Sequence, residues 1–286
     1  MLHLRPIPEE KATPQVLEIY QDIKKTFDLE IVPLLFQFLA NFDRYLFYVW
    51  EKIKKNIESD YFISSERQVT DFVDSIIPHI YHPTENMEDF IEKIAPHEKA
   101  ELLKRIKKLE DVNARLFLLT IGLREGVKGV YIGQHVLPHA AYAKEQQEEV
   151  WDEFINKELM SKLLRNEHEE IDPAHKMLAP LFGSQALVVS HYPQFFSRIA
   201  REMNELQKTE KYLAQRVGLE QMGLLFVSQF PYPLGSTYIE IMRLTEGKPH
   251  VNELIYILAE TFPTQFPRLV FTTALMKQVL GLRKSL

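Results

Sequence analysis

The chain repeats a pattern of large apolar and polar positions about 150 residues after its first occurrence. Gln37–Leu46 aligns without a gap on Leu187–Phe196, at an offset of 150 residues. Two more segments align at an offset of 153 residues, Gln68–Pro78 on Gln221–Pro231 and Ala114–Thr120 on Pro267–Thr273. Two copies of a helical unit of this size commonly pack about a pseudo-twofold axis, so the duplication predicts a shared interface where a ligand pocket can form.

The spacing of apolar residues predicts an all-α fold. Apolar positions recur with a period near 3.6, glycine is scarce at 10 residues, and no segment sustains the period of two that strands require. We expect two tandem helical repeats arranged as a pseudo-dimer with a connecting charged helix. Residues 1–130 form repeat one, residues 131–170 a helical linker that includes Ala141–Arg165, and residues 171–286 repeat two.

Local signals predict where several helices begin and end. Pro14 lies near the start of the first helix. Ser64 and Ser65 provide an N-cap signal for a helix that Pro78 ends at Ile77. Asp111–Asn113 is a second cap signal, so we expect the apolar segment that follows it to be a separate, buried helix.

Composition and charge exclude several classes of protein. The chain has no cysteine, which removes disulfides, thiolate metal sites and thiol nucleophiles and favours a cytoplasmic setting. The net charge of −6 gives no electrostatic basis for binding nucleic acid. The longest apolar stretch, Ile31–Trp50, carries Asp43 and Arg44 near its middle, so we expect no membrane span. Met1–Pro6 contains no apolar run of signal-peptide length.

The histidines do not form a recognisable metal motif. None of the 10 histidines stands four residues from another with a glutamate between them. His168 and His175 belong to the densest cluster, but they straddle the expected helix start at Asp172–Pro173, so their side chains should diverge. We therefore expect no metal site and no cofactor.

Polar side chains inside apolar segments are better candidates for a binding site. Ser184 and Gln185 lie within an otherwise apolar stretch of repeat two, and Gln37 and Asn41 lie one turn apart on the corresponding helix of repeat one. Buried polar groups cost free energy unless they are paired. These four residues therefore either bind a nearby helix end or line a pocket. Ser190 and His191 are neighbours in sequence and do not face each other on a helix, so they are not read as a nucleophile and base pair.

The chain resembles the group I 2-haloacid dehalogenases, the halocarboxylic-acid dehalogenases that act on both enantiomers. The matching segments are spread over nearly the whole chain: Ile19–Lys24, Leu39–Leu46 with Trp50, Asn113–Thr120 and Asn252–Leu254. The resemblance implies an all-helical pseudo-dimer with a mostly apolar pocket between two related bundles. It also implies displacement of halide from carbon 2 by an activated water, without a covalent ester intermediate.

The same resemblance places the catalytic base in repeat two and shows a departure there. The family's Ser-Asp pair, followed about eight residues later by an aromatic residue and proline, matches Ser184–Gln185 followed by Tyr192–Pro193. Gln185 thus stands where the family has an aspartate that acts as base. An amide does not accept a proton near neutral pH, so the chemistry would need another group. His191, six residues after Gln185, is the candidate for a substitute base.

Three functions remain open at this point. The first is a divergent homologue whose inter-repeat pocket binds a small carboxylic acid or another small ligand with apolar and polar parts. The second is an active hydrolase that displaces halide from short 2-haloacids. The third is a non-catalytic module that contacts other proteins through Ala141–Arg165. In each case the protein is expected to be a monomer or homodimer.

Overall fold

The computed structural model describes residues 3–130, 132–133 and 192–281. In that part of the chain the secondary structure is helical and contains no strand. A short 3-10 turn at Glu9–Lys11 precedes helices α1 (Pro14–Phe27), α2 (Leu34–Leu39), α3 (Asp43–Ile57), α4 (Asp60–Ile80), α5 (Glu85–Glu92) and α6 (Pro96–Val127). After the gap come α7 (Pro193–Leu206), α8 (Glu210–Ser228), α9 (Tyr238–Leu244), α10 (Val251–Tyr256), a π-helical turn at Ile257–Thr261 and α11 (Phe262–Gly281).

Helix α4 begins earlier and ends later than the sequence signals predicted. Its N-cap is Ser59, whose hydroxyl accepts a hydrogen bond from the backbone N–H of Phe62 at 3.2 Å. Ser65 lies inside the helix, and its hydroxyl donates to the carbonyl of Tyr61 one turn earlier. Pro78 is also inside α4, which continues to Ile80. The predicted start at Ser64 or Ser65 and the predicted end at Ile77 were therefore wrong.

Helix α6 runs without interruption through the segment predicted to start a separate helix. Asp111–Asn113 lies in the middle of its 32 residues and caps nothing. Ala114 and the leucines and phenylalanine that follow are buried, so the second half of α6 is covered on all sides. The absence of glycine or proline near Asn113 lets helical hydrogen bonds continue past the polar cluster.

The core is built around α6 and α11. These two helices make the most extensive contact in the described part of the chain, and α4 and α8 pack against both of them. The chains of α6 and α11 run in opposite directions, since Glu110 contacts Lys277 whereas Asn113 contacts Leu269. Helix α11 and the second half of α6 are apolar around most of their circumference, as expected for elements buried between neighbours.

Helices α3 and α4 correspond in detail to α7 and α8 at an offset of 150 residues. Phe42 and Tyr192 precede α3 and α7 with similar backbone angles, φ −127° and ψ 70° against φ −133° and ψ 54°. Ser59 and Thr209 cap α4 and α8 through their hydroxyls. The buried positions of α4 also recur in α8, as the pairs Phe62 and Tyr212, Val69 and Leu219, Val73 and Gly223, and Ile77 and Val227. This register differs from the offset of 153 used to align Gln68–Pro78, and it supports the predicted duplication.

Residues 3–7 form a segment, here called the N-terminal strap, that contacts both halves of the chain. The Oε2 of Glu253 in α10 accepts the backbone N–H groups of His3 and Leu4, each at 2.6 Å. At the other end of the strap, the carbonyl of Ile7 accepts the hydroxyl of Tyr20 in α1 at 2.7 Å. Leu4 is buried in the core. The strap therefore ties the beginning of the chain to a helix near its end.

The predicted linker, residues 131–170, lies outside the described residues except for residues 132–133, and so does the predicted start of repeat two. Within the described residues, no helix is both long and apolar enough to cross a membrane.

Candidate functional site

Gln37, the first predicted pocket residue, is buried on α2 and binds local backbone. Its Nε2 donates to the carbonyl of Val32 at 2.8 Å, which fixes the chain just before the helix. Its own carbonyl accepts the N–H of Ile7 at 2.9 Å. Gln37 therefore helps to hold the N-terminal strap against α2.

Asn41, the second predicted residue, lies one turn further along, just past the end of α2. Its Nδ2 donates to the carbonyl of Arg5 at 2.8 Å and to the carbonyl of Phe38 at 3.0 Å. These two bonds use both of its amide hydrogens, so only the side-chain oxygen is left to contact a ligand. The structure thus brings Gln37 and Asn41 together, and both organise the strap.

Helix α2 also reaches the helix that begins after the π-helical turn. The rings of Phe38 and Phe262 meet edge to face, with centroids 6.1 Å apart. Phe262 is the first residue of α11. The helix that carries Gln37 therefore contacts repeat two. Ser184, Gln185 and His191 lie outside the described residues, so their place in a common pocket with Gln37 and Asn41 stays a prediction.

A cavity of about 320 Å³ lies between helices of the two predicted repeats. Its lining comes from α4 of repeat one and α11 of repeat two: Asp74, Ile77, Ala274, Lys277, Gln278 and Gly281. The volume suits a small ligand. Neither Gln37 nor Asn41 lines this cavity, so it is distinct from the predicted pocket.

A charged cluster stands beside this cavity. The ammonium group of Lys277 binds Oε1 of Glu110 at 2.6 Å and also the carboxylate of Asp74. Glu110 is only 5% exposed, and this burial raises the pKa of its carboxyl, an effect that the bond from Lys277 offsets only in part. Burial alone would lower the pKa of Lys277, but its bonds to Asp74 and Glu110 outweigh that effect and raise it.

Asn113 is a buried amide one turn from Glu110 on α6. Its Nδ2 lies 3.4 Å from the carbonyl of Leu269 in α11, a long hydrogen bond. Across the same interface, the buried hydroxyls of Thr272 and Thr273 donate to carbonyls of their own helix. Polar groups are therefore concentrated where α6 and α11 pack against each other.

This interface could bind a small molecule and move a proton. Glu110 is a carboxyl whose pKa is raised by burial, and Asp74 is a partly exposed carboxylate on the cavity wall. A negatively charged ligand would have to compete with Asp74 for Lys277. Sequence reasoning missed this cluster. The signal was Lys277, one of only two charged residues in helix α11, since a charge in so apolar a helix needs a partner on another element.

Among the described residues there is no group of three or more histidine, aspartate or glutamate side chains arranged to hold a metal ion. His168 and His175, the pair singled out in the sequence, lie outside those residues. The expected absence of a metal site thus stays a prediction for the whole chain.

The family model DehI, described as halocarboxylic acid dehydrogenase DehI, matches residues 30–160, just under half of the chain. No curated protein matches the chain by sequence. Among solved structures, a D-2-haloacid dehalogenase mutant in complex with D-2-CPA is 14% identical with a TM-score of 0.74, and the match covers 98% of this chain and 97% of that one. A D-2-haloacid dehalogenase in complex with L-LA is 14% identical with a TM-score of 0.73, covering 98% of both chains.

These matches confirm the all-helical fold and the predicted resemblance to the 2-haloacid dehalogenases. At this level of identity the structural likeness establishes the fold. The chemistry depends on individual residues.

Proposed function

We propose, on the basis of this relation to the 2-haloacid dehalogenases, that the protein binds a short organic acid between its two helical repeats without hydrolysing it through the family's activated-water mechanism. The observation that carries the proposal is Gln185, which the resemblance aligns with the aspartate that acts as base in the family. The solved D-2-haloacid dehalogenases match the fold over nearly the whole chain at 14% identity, whereas the resemblance puts an amide in place of the family's base. A binding protein, or an enzyme with different chemistry, accounts for both facts.

The change at Gln185 removes the group that would take a proton from water. A positioned general base contributes about 100- to 10,000-fold to a rate, which corresponds to about 3 to 5.5 kcal/mol of barrier. Glutamine can still orient a water or donate a hydrogen bond to a carboxylate. Binding is therefore compatible with Gln185, whereas base-driven hydrolysis is not.

The proposed pocket is lined by Gln37, Asn41, Ser184 and Gln185. Its support is that α2, which carries the first two, contacts α11 of the other repeat through Phe38 and Phe262. Two of the solved relatives were crystallised with small molecules, one with D-2-CPA and one with L-LA. We extend that property to this chain as a pocket for short carboxylic acids.

The test of the lost chemistry is halide release from 2-chloropropionate. We expect the unmodified protein to release no chloride above the protein-free rate, and Gln185→Asp to release chloride measurably. Gln185→Asn is the matched control, since it has the size of aspartate and no proton acceptor. Release by the unmodified protein at the rate of Gln185→Asp would contradict the proposal.

The test of binding is a thermal-shift titration of the unmodified protein with 2-chloropropionate, lactate and acetate. A ligand at 100 times its dissociation constant stabilises the folded state by about 2.7 kcal/mol. We expect saturable stabilisation by at least one of these acids. No stabilisation by any of the three acids would contradict the binding part of the proposal.

A second candidate is an active hydrolase that uses another proton acceptor. The observation that favours it is Glu110, a buried carboxyl with a raised pKa near the contact between the repeats. Its bond to Lys277 counts against a free base. If the unmodified protein does release halide, Glu110→Gln should abolish the release, whereas Asp111→Asn, on the neighbouring residue, should not. His191 is tested in the same way with His191→Gln.

The interaction-module alternative depended on Ala141–Arg165, which lies outside the described residues. It stays a prediction.

A further inference from the structure

A second cavity, of about 380 Å³, lies wholly within repeat one. Four helices meet there: α1, α3, α4 and α6. The lining residues are Asp22, Lys25, Thr26, Lys54, Ile57, Glu58, Ile63 and Arg115. Three of these side chains are cations. None of the residues assigned to the inter-repeat pocket takes part, so the following inference does not depend on the proposed function.

Two of the cations already donate hydrogen bonds to carboxylates of repeat one. The Nζ of Lys54 binds both oxygens of Asp22, at 2.8 and 3.0 Å, and Asp22 also accepts the indole N–H of Trp50. Arg115 donates from Nε to Oε2 of Glu66, a buried carboxylate, at 2.9 Å. Cations fixed in this way lose little freedom when an anion binds.

Part of the donor capacity on this cavity is unused. The hydrogen bond to Glu66 uses only the Nε of Arg115, and in the described part of the chain no acceptor pairs with its terminal nitrogens. Lys25 likewise forms no salt bridge within the described residues, although its charge helps to lower the pKa of the Asp22 carboxyl. Two carboxylates line the cavity. Asp22 already accepts hydrogen bonds from Lys54 and Trp50, whereas Glu58 has no ion pair among the described residues.

At the corresponding positions of repeat two, the two side chains bond directly to each other. At the offset of 150 residues Lys54 corresponds to Asn204, and at the offset of 153 residues Arg115 corresponds to Arg268. The Oδ1 of Asn204 accepts directly from the guanidinium of Arg268 at 2.6 Å. In repeat one the two partners are both cations and cannot bond to each other. An anion between them would supply the acceptor that Asn204 supplies in repeat two.

We propose that this cavity binds a small oxyanion, a carboxylate or a phosphate, which bridges Lys54 and Arg115 and is completed by Lys25. Two fork nitrogens of a guanidinium match the oxygens of either group, and the ammonium groups add point charges. Ile57 and Ile63 provide an apolar surface for any carbon atoms attached to the anion.

The experiment is calorimetric titration of the full-length protein with sodium phosphate and, separately, sodium acetate, with sodium chloride at equal ionic strength as the blank. We expect saturable binding of one equivalent of at least one oxyanion. Phosphate alone, or acetate alone, identifies the source of the ligand. No saturable binding of either overturns the proposal.

Two variants locate the site. Lys25→Gln removes a cation that holds no ion pair in the described part of the chain, so the fold should be kept and affinity should fall about tenfold or more. Lys54→Asn reproduces the arrangement of repeat two and should close the site. The control is Lys55→Gln, which removes an equal charge from an exposed pair with Glu51 on the same helix. Unchanged affinity in Lys25→Gln would place the anion elsewhere and overturn the proposal, even if Lys54→Asn failed to fold.

Discussion

Lys277, near the end of the last helix, places its ammonium group 2.6 Å from Oε1 of Glu110 in the middle of α6. The two residues are 167 positions apart in sequence and belong to different predicted repeats. Because Glu110 is almost fully buried, its charge depends on this partner. The contact is therefore a point at which a single substitution should test how the two halves hold together.

We expect Lys277→Met to destabilise the protein by about 3 kcal/mol, because it leaves the carboxylate of Glu110 buried without its counter-charge. Chemical denaturation measures the change. The double variant Lys277→Met with Glu110→Leu should recover most of the loss, since it buries neither charge. Lys208→Met, which removes one member of an exposed pair with Glu205, should change stability by less than about 0.5 kcal/mol. Equal effects of the two single variants would show that the buried contact is not stabilising.

The pKa of Glu253 leads to a prediction of how the stability of the protein falls in acid. Burial alone would raise the pKa of its carboxyl, but the hydrogen bonds from Leu4, His250 and His3 outweigh this effect and lower the pKa. A carboxyl with a lowered pKa in the folded state stabilises the protein above its unfolded pKa of about 4.3, and this contribution is lost as the pH falls through the folded value. Glu253→Gln should therefore flatten the loss of stability below about pH 4.5. Denaturation from pH 3 to 7 measures this, and parallel curves for the two proteins would contradict it.

Two glycines of α8 provide a matched pair of substitutions. A Cβ added at Gly223 would lie 2.7 Å from the ring of Phe117, which is fully buried and has no room to move, whereas one added at Gly218 would lie 3.4 Å from Phe72, an ordinary contact. Alanine favours a helix over glycine by up to about 1 kcal/mol. We expect Gly218→Ala to raise the melting temperature and Gly223→Ala to lower it, with a cost of about 1 to 3 kcal/mol for overpacking. A rise for both would show that α6 and α8 can separate without loss.

Asn56 joins α3 to the segment that follows α8. Its Nδ2 donates to the carbonyl of Tyr232 at 2.9 Å, and its Oδ1 accepts the N–H of Tyr232 at 3.2 Å. The side chain is fully buried, so Asn56→Ala should leave both backbone groups of Tyr232 unpaired at a cost of about 2 kcal/mol. Asn41→Ala, whose side chain is less buried, should cost less. Denaturation midpoints measure both, and an equal or smaller effect at Asn56 would contradict the role given to it.

The sequence was sufficient for the fold class and for several helices, because apolar periodicity and proline are local signals. The first helix begins at Pro14 as expected. Errors arose where two local signals competed. Ser59, Ser64 and Ser65 are all residues that can cap a helix, and the structure uses Ser59, which lets the buried Phe62 lie in the first turn of α4. At Asn113 the buried environment of α6 overrides a cap signal.

The site was predicted less well, for a physical reason. Gln37 and Asn41 were identified as polar residues in apolar surroundings, but a pattern in sequence does not reveal that their partners are the backbone of residues 5, 7 and 32. The cluster of Glu110, Asp74 and Lys277 was missed because its members are far apart in sequence. Long-range charge pairing leaves no periodic signal within one helix.

The N-terminal strap also constrains the order of events during synthesis. The backbone N–H of Leu4 finds its acceptor on Glu253, 249 residues later, so this hydrogen bond cannot form until α10 has left the ribosome. Until then the backbone N–H groups of His3 and Leu4 lack this acceptor. A nascent chain halted before α10 would therefore hold the N-terminal strap only through its contacts with α1 and α2.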